Sequence, residues 1–301
     1  MKLVDAFSKP QYALRPMQSL RRVLQTFRSP SDSVEVRLPW GHIITVNPRE
    51  DIGRLIRKQG LYDLVLTETL WRLAGRGERI LDIGANIGYT ASLLGARCGI
   101  YGEVFCFEPH PEIFHELKSN IDAFMDSGDC APIRIFPFAA SNHEGMGDLV
   151  TSEYFSVNRG TAKLGLTAPP EENVVESHSV IVRRLDTFLA GDQPVHMMKI
   201  DVEGHEFPAF EGLGEWLSGG KIRDVIFEEH RRYPAPTHLY LEHCGYTLYS
   251  LEETFRGPVL KPPTEPTARR FYDTPSYLAT VDPERARRLF SSRGWESFRA
   301  S

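Results

Sequence analysis

The segment Arg79–Ala91 constrains the fold of this chain more than any other stretch. Its sequence, RILDIGANIGYTA, starts with the apolar residues of a short buried strand, continues through a turn bounded by Gly84 and Gly88, and enters a helix at Tyr89. A strand, a glycine-containing turn and a helix in this order present backbone N–H groups to a nucleotide-like ligand, and glycine lets the backbone approach it closely. The segment therefore predicts an α/β fold that binds a nucleotide-like cofactor.

Asp82 narrows the choice of cofactor, because it lies near the carboxyl end of the predicted strand, just before the turn. A carboxylate there would repel the pyrophosphate that dinucleotide-binding proteins hold over this turn, and the spacing of Gly84 and Gly88 is not G-x-G-x-x-G. It suits a cationic ligand, and S-adenosylmethionine (SAM) carries an ammonium and a sulfonium beside its adenosine. We therefore predict SAM as the cofactor and S-adenosylhomocysteine (SAH) as its product. The residues of this segment predicted to hold the cofactor are Asp82, Gly84, Ala85, Asn86, Gly88, Tyr89 and Thr90.

A second apolar run, Glu103–Glu108, also ends in an acid and is followed by Pro109. An acidic residue at the end of the second strand hydrogen-bonds the ribose hydroxyls of an adenosine. NAD-dependent proteins use the same contact, so Glu108 and the adjoining Pro109 predict adenosine binding without choosing between SAM and NAD. An NAD-dependent oxidoreductase therefore stays as an alternative, which Asp82 opposes.

Apolar runs alternate with helical segments through the rest of the chain, which implies a mostly parallel sheet with helices packed on it. The predicted core strands are Ile80–Gly84, Val104–Glu108, Ile133–Ala139, His196–Asp201 and Asp224–Glu229. Two later runs, Tyr246–Leu251 and Tyr277–Val281, are expected to close the sheet as an antiparallel pair.

We predict that residues 1–75 form a lead-in that packs on the core. Residues 76–301 then form the cofactor-binding domain, with an insertion at about 140–192. The segments predicted within these parts are an amphipathic helix in Met1–Asp32, a β-hairpin in Ser33–Val46, helices at Asp51–Lys58 and Tyr62–Leu73, and surface loops at Asn158–Glu172 and Arg256–Arg270. Long insertions in compact domains are often functional, so we expect the lead-in and the insertion to shape the acceptor pocket.

Acidic and histidine side chains follow the fourth and fifth predicted strands, in Ile200–Glu206 (IDVEGHE) and Glu228–His230. Ligands bind beyond the carboxyl ends of parallel strands, so both groups belong to the edge that carries Asp82 and Glu108. Methyl transfer from a sulfonium is an in-line displacement, in which a hydroxyl acceptor benefits from a base that takes its proton. We expect His205 or His230 to be that base and a carboxylate to orient it. The catalytic candidates are Asp201, Glu203, His205, Glu229 and His230, and Asp201 is also counted among the cofactor residues.

Two further interpretations concern the same edge. Glu206 is expected to be a solvated acid in the first turn of a helix, where the helix dipole favours it. Asp201 with Glu228 or Glu229 would offer oxygen atoms of the kind that Mg²⁺ prefers, so a Mg²⁺ site is left open without being assigned. A zinc site is disfavoured, because the cysteines and histidines lack ligand spacing.

Composition limits the classes of partner. The net charge of −5 and the pI near 6.1 give no electrostatic reason to expect a nucleic-acid partner. No apolar run approaches a membrane span, the first residues lack the apolar core of a signal peptide, and the four cysteines form no C-x-x-C pair. We therefore expect a cytoplasmic protein without stable membrane insertion, and the oligomeric state stays open. The expected partner, a small hydroxylated acceptor, follows from the transfer chemistry given above.

These residues resemble those of the FkbM family of SAM-dependent methyltransferases. The resemblance runs from about Ile44 to about His230, and its specific part is the GANIGYT turn combined with KIDVEGHE downstream. The motifs are LDIGANIGYT at Leu81–Thr90, FEPHP at Phe107–Pro111, FAASNHEG at Phe138–Gly145, NRGTAKL at Asn158–Leu164, and RLDTFL followed by KIDVEGHE at Lys199–Glu206.

The resemblance implies a Rossmann-like class I methyltransferase fold, which is a seven-stranded, mostly parallel sheet with helices on both faces and a reversed last strand. It also implies O-methylation, often of a hydroxyl on a sugar or a natural product. It places Ala140 and Ser141 near the adenine, and Asp201, Glu203 and His205 at the transfer site. N-methylation is the alternative within the enzyme class, and a binding protein that has kept the fold without transfer activity is a third.

Overall fold

A computed structural model of the chain describes residues 32–126, 128–165, 174–189, 191, 193–265 and 275–299. The helix predicted within Met1–Asp32 lies outside the described residues, apart from Asp32 itself. The strands are β1 (Val34–Arg37), β2 (Ile43–Val46), β3 (Arg79–Ile83), β4 (Glu103–Phe107), β5 (Ile133–Phe136), β6 (Phe138–Ala140), β7 (Gly145–Ser152), β8 (Lys163–Leu164), β9 (Val174–Arg183), β10 (Val195–Ile200), β11 (Ile222–Glu228), β12 (Thr247–Thr254), β13 (Gly257–Lys261) and β14 (Ser276–Thr280). The helices are α1 (Asp51–Gln59), α2 (Leu64–Leu73), α3 (Tyr89–Cys98), α4 (Pro111–Asp126), α5 (Leu185–Phe188), α6 (Glu206–Glu211), α7 (Glu215–Ser218), α8 (Pro236–His243) and α9 (Pro283–Phe290). None of these described helices is long and apolar enough to cross a membrane.

The main sheet has the strand order β13-β12-β14-β11-β10-β3-β4-β5. The pairs from β11 through β10, β3 and β4 to β5 are all parallel, whereas β14 runs antiparallel to both β11 and β12. One buried apolar cluster contains Leu70, Leu94 and Leu117 from α2, α3 and α4, and a second contains Phe210 and Leu241 from α6 and α8. The predicted Rossmann-like sheet with a reversed last strand is confirmed, and so is the antiparallel pairing of the two late strands.

An eighth strand, β13, lies at one edge of this sheet, where the sequence predicts a surface loop. It pairs with β12, and Pro258 stands opposite Glu253. Proline is found in sheets chiefly on edge strands, because it has no N–H to donate to a neighbour. The proline content that indicates a loop in this segment is therefore compatible with an edge strand, and the prediction is wrong for residues 257–261.

The central strand β3 is buried along nearly its whole length, including Ile80, Leu81 and Ile83. A parallel strand covered by helices on both faces has a mostly apolar sequence, which is why this run is readable as a core strand although it contains Asp82. Its carboxyl end leads directly into the turn that begins at Gly84.

The predicted third strand, Ile133–Ala139, is two strands in the structure. β5 ends at Phe136, and β6 begins at Phe138 in a separate sheet of order β6-β9-β7-β8. Pro137 lies between them, and proline cannot donate a ladder hydrogen bond. In the described part of the insertion, β7 and β9 pair antiparallel, and residues of these strands form a small apolar cluster with Ala139.

The lead-in contributes to the same core as the sheet. β1 and β2 form the predicted hairpin, with Val34 opposite Val46, and α1 and α2 follow where helices are predicted. The indole N–H of Trp40 donates to Ser92 Oγ in α3 at 3.0 Å. Since the buried side chains of the hairpin and of α2 belong to the cluster that packs on α3 and α4, this part of the chain closes one side of the sheet.

Candidate active site

A cavity opens at the carboxyl ends of β3, β4 and β10, the edge at which the sequence predicts ligand binding. It encloses about 1100 Å³ of empty space, part of it open to solvent. Its wall also includes Tyr62 and Leu66 of the lead-in and Asn158, Arg159 and Gly160 of the insertion. The predicted cofactor residues that line it are Gly84, Ala85, Asn86, Tyr89, Thr90, Glu108, Pro109, Ala140 and Asp201.

The turn after β3 depends on residues that tolerate a positive φ angle. Gly84 has φ 75°, and a Cβ atom there would lie 2.0 Å from the carbonyl oxygen of Asp201, so the position requires glycine. Asn86 has φ 49°, a conformation that asparagine adopts more readily than most residues. Gly88 precedes α3 with φ 92° and does not itself line the cavity. The turn thus brings the backbone of β3 against that of β10.

Glu108, at the end of β4, holds the turn from the opposite side. Its Oε2 accepts a hydrogen bond from the N–H of Asn86 at 3.0 Å, and its Oε1 accepts one from the N–H of His110 at 2.9 Å. Burial raises the pKa of Glu108 to about 7, although these two N–H donors oppose the rise. Each oxygen keeps a second lone pair, so the carboxylate can accept two more hydrogen bonds, as the hydroxyls of a ribose require.

Asp82 lies elsewhere than the sequence predicts, because its side chain is fully buried and does not line the cavity. Thr90 Oγ1 donates to Asp82 Oδ2 at 2.5 Å, and the ammonium of Lys199 lies 3.5 Å from Oδ1. Asp82 and Lys199 are direct neighbours in the register of β3 and β10. The carboxylate that the sequence assigns to the cationic end of SAM is therefore compensated inside the protein by a lysine.

Lys199 is not among the predicted site residues, although its ammonium contacts several of them. Its Nζ donates to the carbonyl of Gly84 at 2.7 Å and lies 3.7 Å from Asp201 Oδ2. Burial lowers the pKa of Lys199, but the carboxylates of Asp82 and Asp201 outweigh it and raise the pKa overall, so the ammonium stays charged. The only signal in the sequence is a lysine inside the apolar strand VHMMKI, and its meaning depends on the acid beside it in space.

Asp201, Glu203 and His205 follow β10, and all three line the cavity. The side chain of Asp201 is 35% exposed and that of Glu203 is 24% exposed. Glu203 has φ 52°, a left-handed conformation that costs a residue other than glycine on the order of 1–3 kcal/mol. His205 Nε2 lies 2.9 Å from Ser141 Oγ, and burial lowers the pKa of His205, so its ring is neutral near pH 7.

Ala140 and Ser141, which the family resemblance places near the adenine, lie at different depths. Ala140 lines the cavity, whereas Ser141 is fully buried and does not. The hydroxyl of Ser141 contacts His205 at the transfer end instead.

Glu229 and His230, two predicted catalytic candidates, do not line the cavity. The carboxylate of Glu229 accepts hydrogen bonds from the guanidinium and backbone N–H of Arg231 and from Thr237. His230 is half-exposed, and its Nε2 lies 4.0 Å from Glu203 Oε2. Neighbouring positions at a strand end point to opposite faces, and Glu228 is the one that lies beside Asp201 and Lys199.

Glu206 is buried, with 4% of the residue exposed, although the sequence predicts a solvated acid. Its Oε1 accepts hydrogen bonds from the N–H groups of Val202 at 3.1 Å and Gly204 at 3.3 Å. Burial raises the pKa of Glu206 to about 7. The side chain folds back because the N–H groups of the loop before α6 need an acceptor, and it thereby fixes the segment that carries Glu203.

Arg159 fastens the insertion against two other parts of the chain. Its Nε lies 2.8 Å from Glu50 Oε2, and its two terminal nitrogens each donate at 2.7 Å to the carboxylate of Glu116. The N–H of Asp51 also donates to the carbonyl of Val157 at 2.9 Å. Arg159–Thr161 therefore form a fixed, half-buried 3-10 turn capped by Asn158, and the predicted exposed loop is wrong for these residues.

The family model described as the methyltransferase FkbM domain matches residues 82–248. This chain belongs to the FkbM methyltransferase family. The matched span starts at Asp82, includes the insertion and the Asp201–His205 segment, and ends in β12. The resemblance stated from the sequence motifs is therefore confirmed.

Individual relatives of this FkbM-family chain are distant. The hexuronic acid methyltransferase AglP of Haloferax volcanii is 26% identical over 187 residues, which is 62% of this chain and 69% of that protein. The crystal structure of the methyltransferase FkbM of Methylobacillus flagellatus covers 89% of this chain with a TM-score of 0.41 and 14% identity, and this chain spans 59% of its length. A SAM-dependent methyltransferase of Agrobacterium tumefaciens covers 85% of this chain and is itself covered to 72%, with a TM-score of 0.44 and 10% identity.

Among the described residues, no group of three or more His, Cys, Asp and Glu side chains is arranged to hold a metal ion. The Mg²⁺ site left open by the sequence gains no support from this part of the chain.

Proposed function

We propose that this FkbM-family protein transfers a methyl group from SAM to a hydroxyl of a small acceptor of the sugar or natural-product type. The observation that carries the proposal is one cavity whose two ends suit the two ends of SAM. Glu108 has unused acceptor capacity for ribose hydroxyls, and Asp201 and Glu203 offer carboxyl groups to the cationic end. Between them, Gly84 allows the turn after β3 to lie against the backbone of Asp201.

When bound, SAM supplies a methyl group on a positively charged sulfur. The residues of the chain hold the reactants and limit the access of water. Tyr62 and Leu66 cover the cavity from the lead-in, and Asn158 and Gly160 cover it from the insertion. In-line displacement needs an acceptor oxygen aimed along the carbon–sulfur bond, and holding both reactants in one enclosed cavity meets that need. A group at the Asp201 end then accepts the hydroxyl proton.

The name of the relative AglP, a hexuronic acid methyltransferase, supports a sugar as the acceptor class. The charges of this cavity favour an uncharged sugar over an acidic one. Among the described residues that line it, the cations Arg159 and Lys199 are already paired with carboxylates, whereas Asp201 and Glu203 are partly exposed. A carboxylate on the acceptor would lie near the acids Asp201 and Glu203, and neither of the two lining cations would be available to pair with it. We therefore expect a neutral glycoside to be a better acceptor than the matching uronic acid.

Calorimetric titration with SAM, SAH and NADH in separate runs tests the cofactor. We expect SAM and SAH to bind and NADH to give no signal, and binding of NADH alone would contradict the proposal. Transfer of a labelled methyl group from SAM is then measured with neutral glycosides, the matching uronic acids and amino sugars. Transfer to nitrogen alone would replace O-methylation by N-methylation.

A further inference from the structure

The transfer end of the cavity holds three side chains that could accept a proton from the acceptor, and the structure distinguishes them. Asp201 Oδ2 lies 3.7 Å from the ammonium of Lys199, with which it forms an ion pair. His205 has its Nε2 in contact with the buried hydroxyl of Ser141 at 2.9 Å. Both groups are therefore already engaged by other residues.

Glu203 differs from these two in its contacts. Within the described residues, no donor hydrogen-bonds its carboxylate, and the Nε2 of His230 lies 4.0 Å away. The carboxylate lines the cavity, and a Cβ added to Gly160 across the cavity would lie 4.0 Å from its Oε1. The side chain thus lies in the cavity between the Asp201–His205 segment and the insertion.

The backbone at Glu203 supports a functional role. Its φ of 52° belongs to the left-handed region, where glycine or asparagine is the ordinary choice, and the next residue, Gly204, also has a positive φ of 94°. The loop is held in this shape by the buried carboxylate of Glu206, which accepts hydrogen bonds from Val202 and Gly204. A strained residue that is fixed by its surroundings and directed into a cavity is typical of functional sites.

We propose that Glu203 is the general base of the transfer reaction, in preference to either histidine. This inference rests on the proposed SAM-dependent O-methylation. As the acceptor oxygen bonds the methyl carbon, the carbon–sulfur bond breaks with its electron pair on sulfur, and the Glu203 carboxylate takes the hydroxyl proton. The products are a methyl ether, a neutral thioether and a protonated Glu203, which returns its proton to solvent.

The charges around Glu203 determine when its carboxyl group is ionised and can accept a proton. Burial raises the pKa of Glu203 to about 8, Asp201 and Glu206 add to the rise, and Lys163 and Lys199 oppose it. The other titratable groups that face this end are His230, Glu228, Asp63 and Tyr62. A sulfonium next to Glu203 favours its ionised form, whereas the neutral thioether of SAH does not. We therefore expect SAM binding to release the proton of Glu203 and so to prepare the base.

The test is calorimetric titration of SAM and SAH into the wild type and into Glu203→Gln at pH 7.5, in phosphate and in Tris, whose ionisation enthalpies differ. We expect SAM binding to the wild type to release about 0.5–0.8 more proton than SAM binding to Glu203→Gln, because a group with a pKa of about 8 is about three-quarters protonated at pH 7.5. Comparing the same ligand between two proteins cancels protons gained or lost by the ligand itself. The difference should be absent with SAH, whose sulfur carries no charge.

Controls separate this inference from the proposed function. Glu284→Gln removes an exposed acid in α9 and should behave as the wild type. Asparagine adopts the left-handed backbone readily, so Glu203→Asn serves as the second variant if Glu203→Gln is unstable. It should show the same loss of proton release. Equal proton release from SAM in the wild type and both Glu203 variants would overturn the base assignment and leave SAM dependence intact. A wild type that binds neither SAM nor SAH would overturn the proposed function instead.

Discussion

Replacing Lys199 by methionine removes the cation that pairs with buried Asp82, while keeping an unbranched side chain of similar length. Lys199 is 4% exposed, lies 3.5 Å from Asp82 Oδ1, and donates to the Gly84 carbonyl at 2.7 Å. Removing one partner of a buried ion pair costs about 3–5 kcal/mol, because the other charge stays buried without compensation. We expect the free energy of unfolding to fall by about that amount, and SAH affinity to fall as the turn loses its anchor.

Urea denaturation followed by tryptophan fluorescence measures the loss, and calorimetry with SAH measures the affinity. The matched control is Lys118→Met, which removes an exposed lysine that pairs with Asp122 in the same helix. Its effect should stay within about 0.5 kcal/mol, since surface pairs contribute little.

The double variant Asp82→Asn with Lys199→Met decides whether the charge pair is the cause. The second change removes the orphaned carboxylate, so we expect it to recover about 1–3 kcal/mol of the loss from Lys199→Met alone. A Lys199→Met loss below about 1 kcal/mol, or a double variant no more stable than the single one, would refute the reasoning that Lys199 compensates Asp82.

Three further predictions follow from the cavity wall and its charges. Arg159→Met should weaken SAH binding about tenfold, because it removes the ion pairs that hold the insertion to Glu50 and Glu116. An unchanged SAH affinity in calorimetry would show that these ion pairs do not support the cavity wall. Gly84→Ala should lower the free energy of unfolding, measured in urea, by more than about 3 kcal/mol, because the new Cβ would lie 2.0 Å from the carbonyl oxygen of Asp201. The control Gly245→Ala, which has open space around the new Cβ, should lower it by about 1 kcal/mol. The stability of the ligand-free protein should fall as the pH rises from about 6.5 to about 8, because the raised pKa of Glu203 makes the folded state hold a proton that the unfolded state has lost. Urea midpoints across this range measure that decline, and a profile that is flat or rising would contradict it.

The local sequence determined the elements that carry the site. The apolar residues of β3, the glycines of the turn and the acid after β4 were sufficient to predict a parallel sheet, a ligand at its carboxyl edge and a role for Glu108. These predictions depend on chain geometry over a few residues, because a strand buried on both faces and a turn with positive φ each restrict the residues that can occupy them.

Only the tertiary structure decided which charges face the cavity. Asp82 and Lys199 are 117 positions apart in the chain, and their pairing exists because β3 and β10 are neighbours in the sheet. The burial of Glu206 and the position of Arg159 in the cavity wall likewise depend on contacts between distant segments. A buried charge is stable only with a partner, and the partner is chosen by packing across the fold, so the sequence alone could list these acids without showing which of them a ligand would meet.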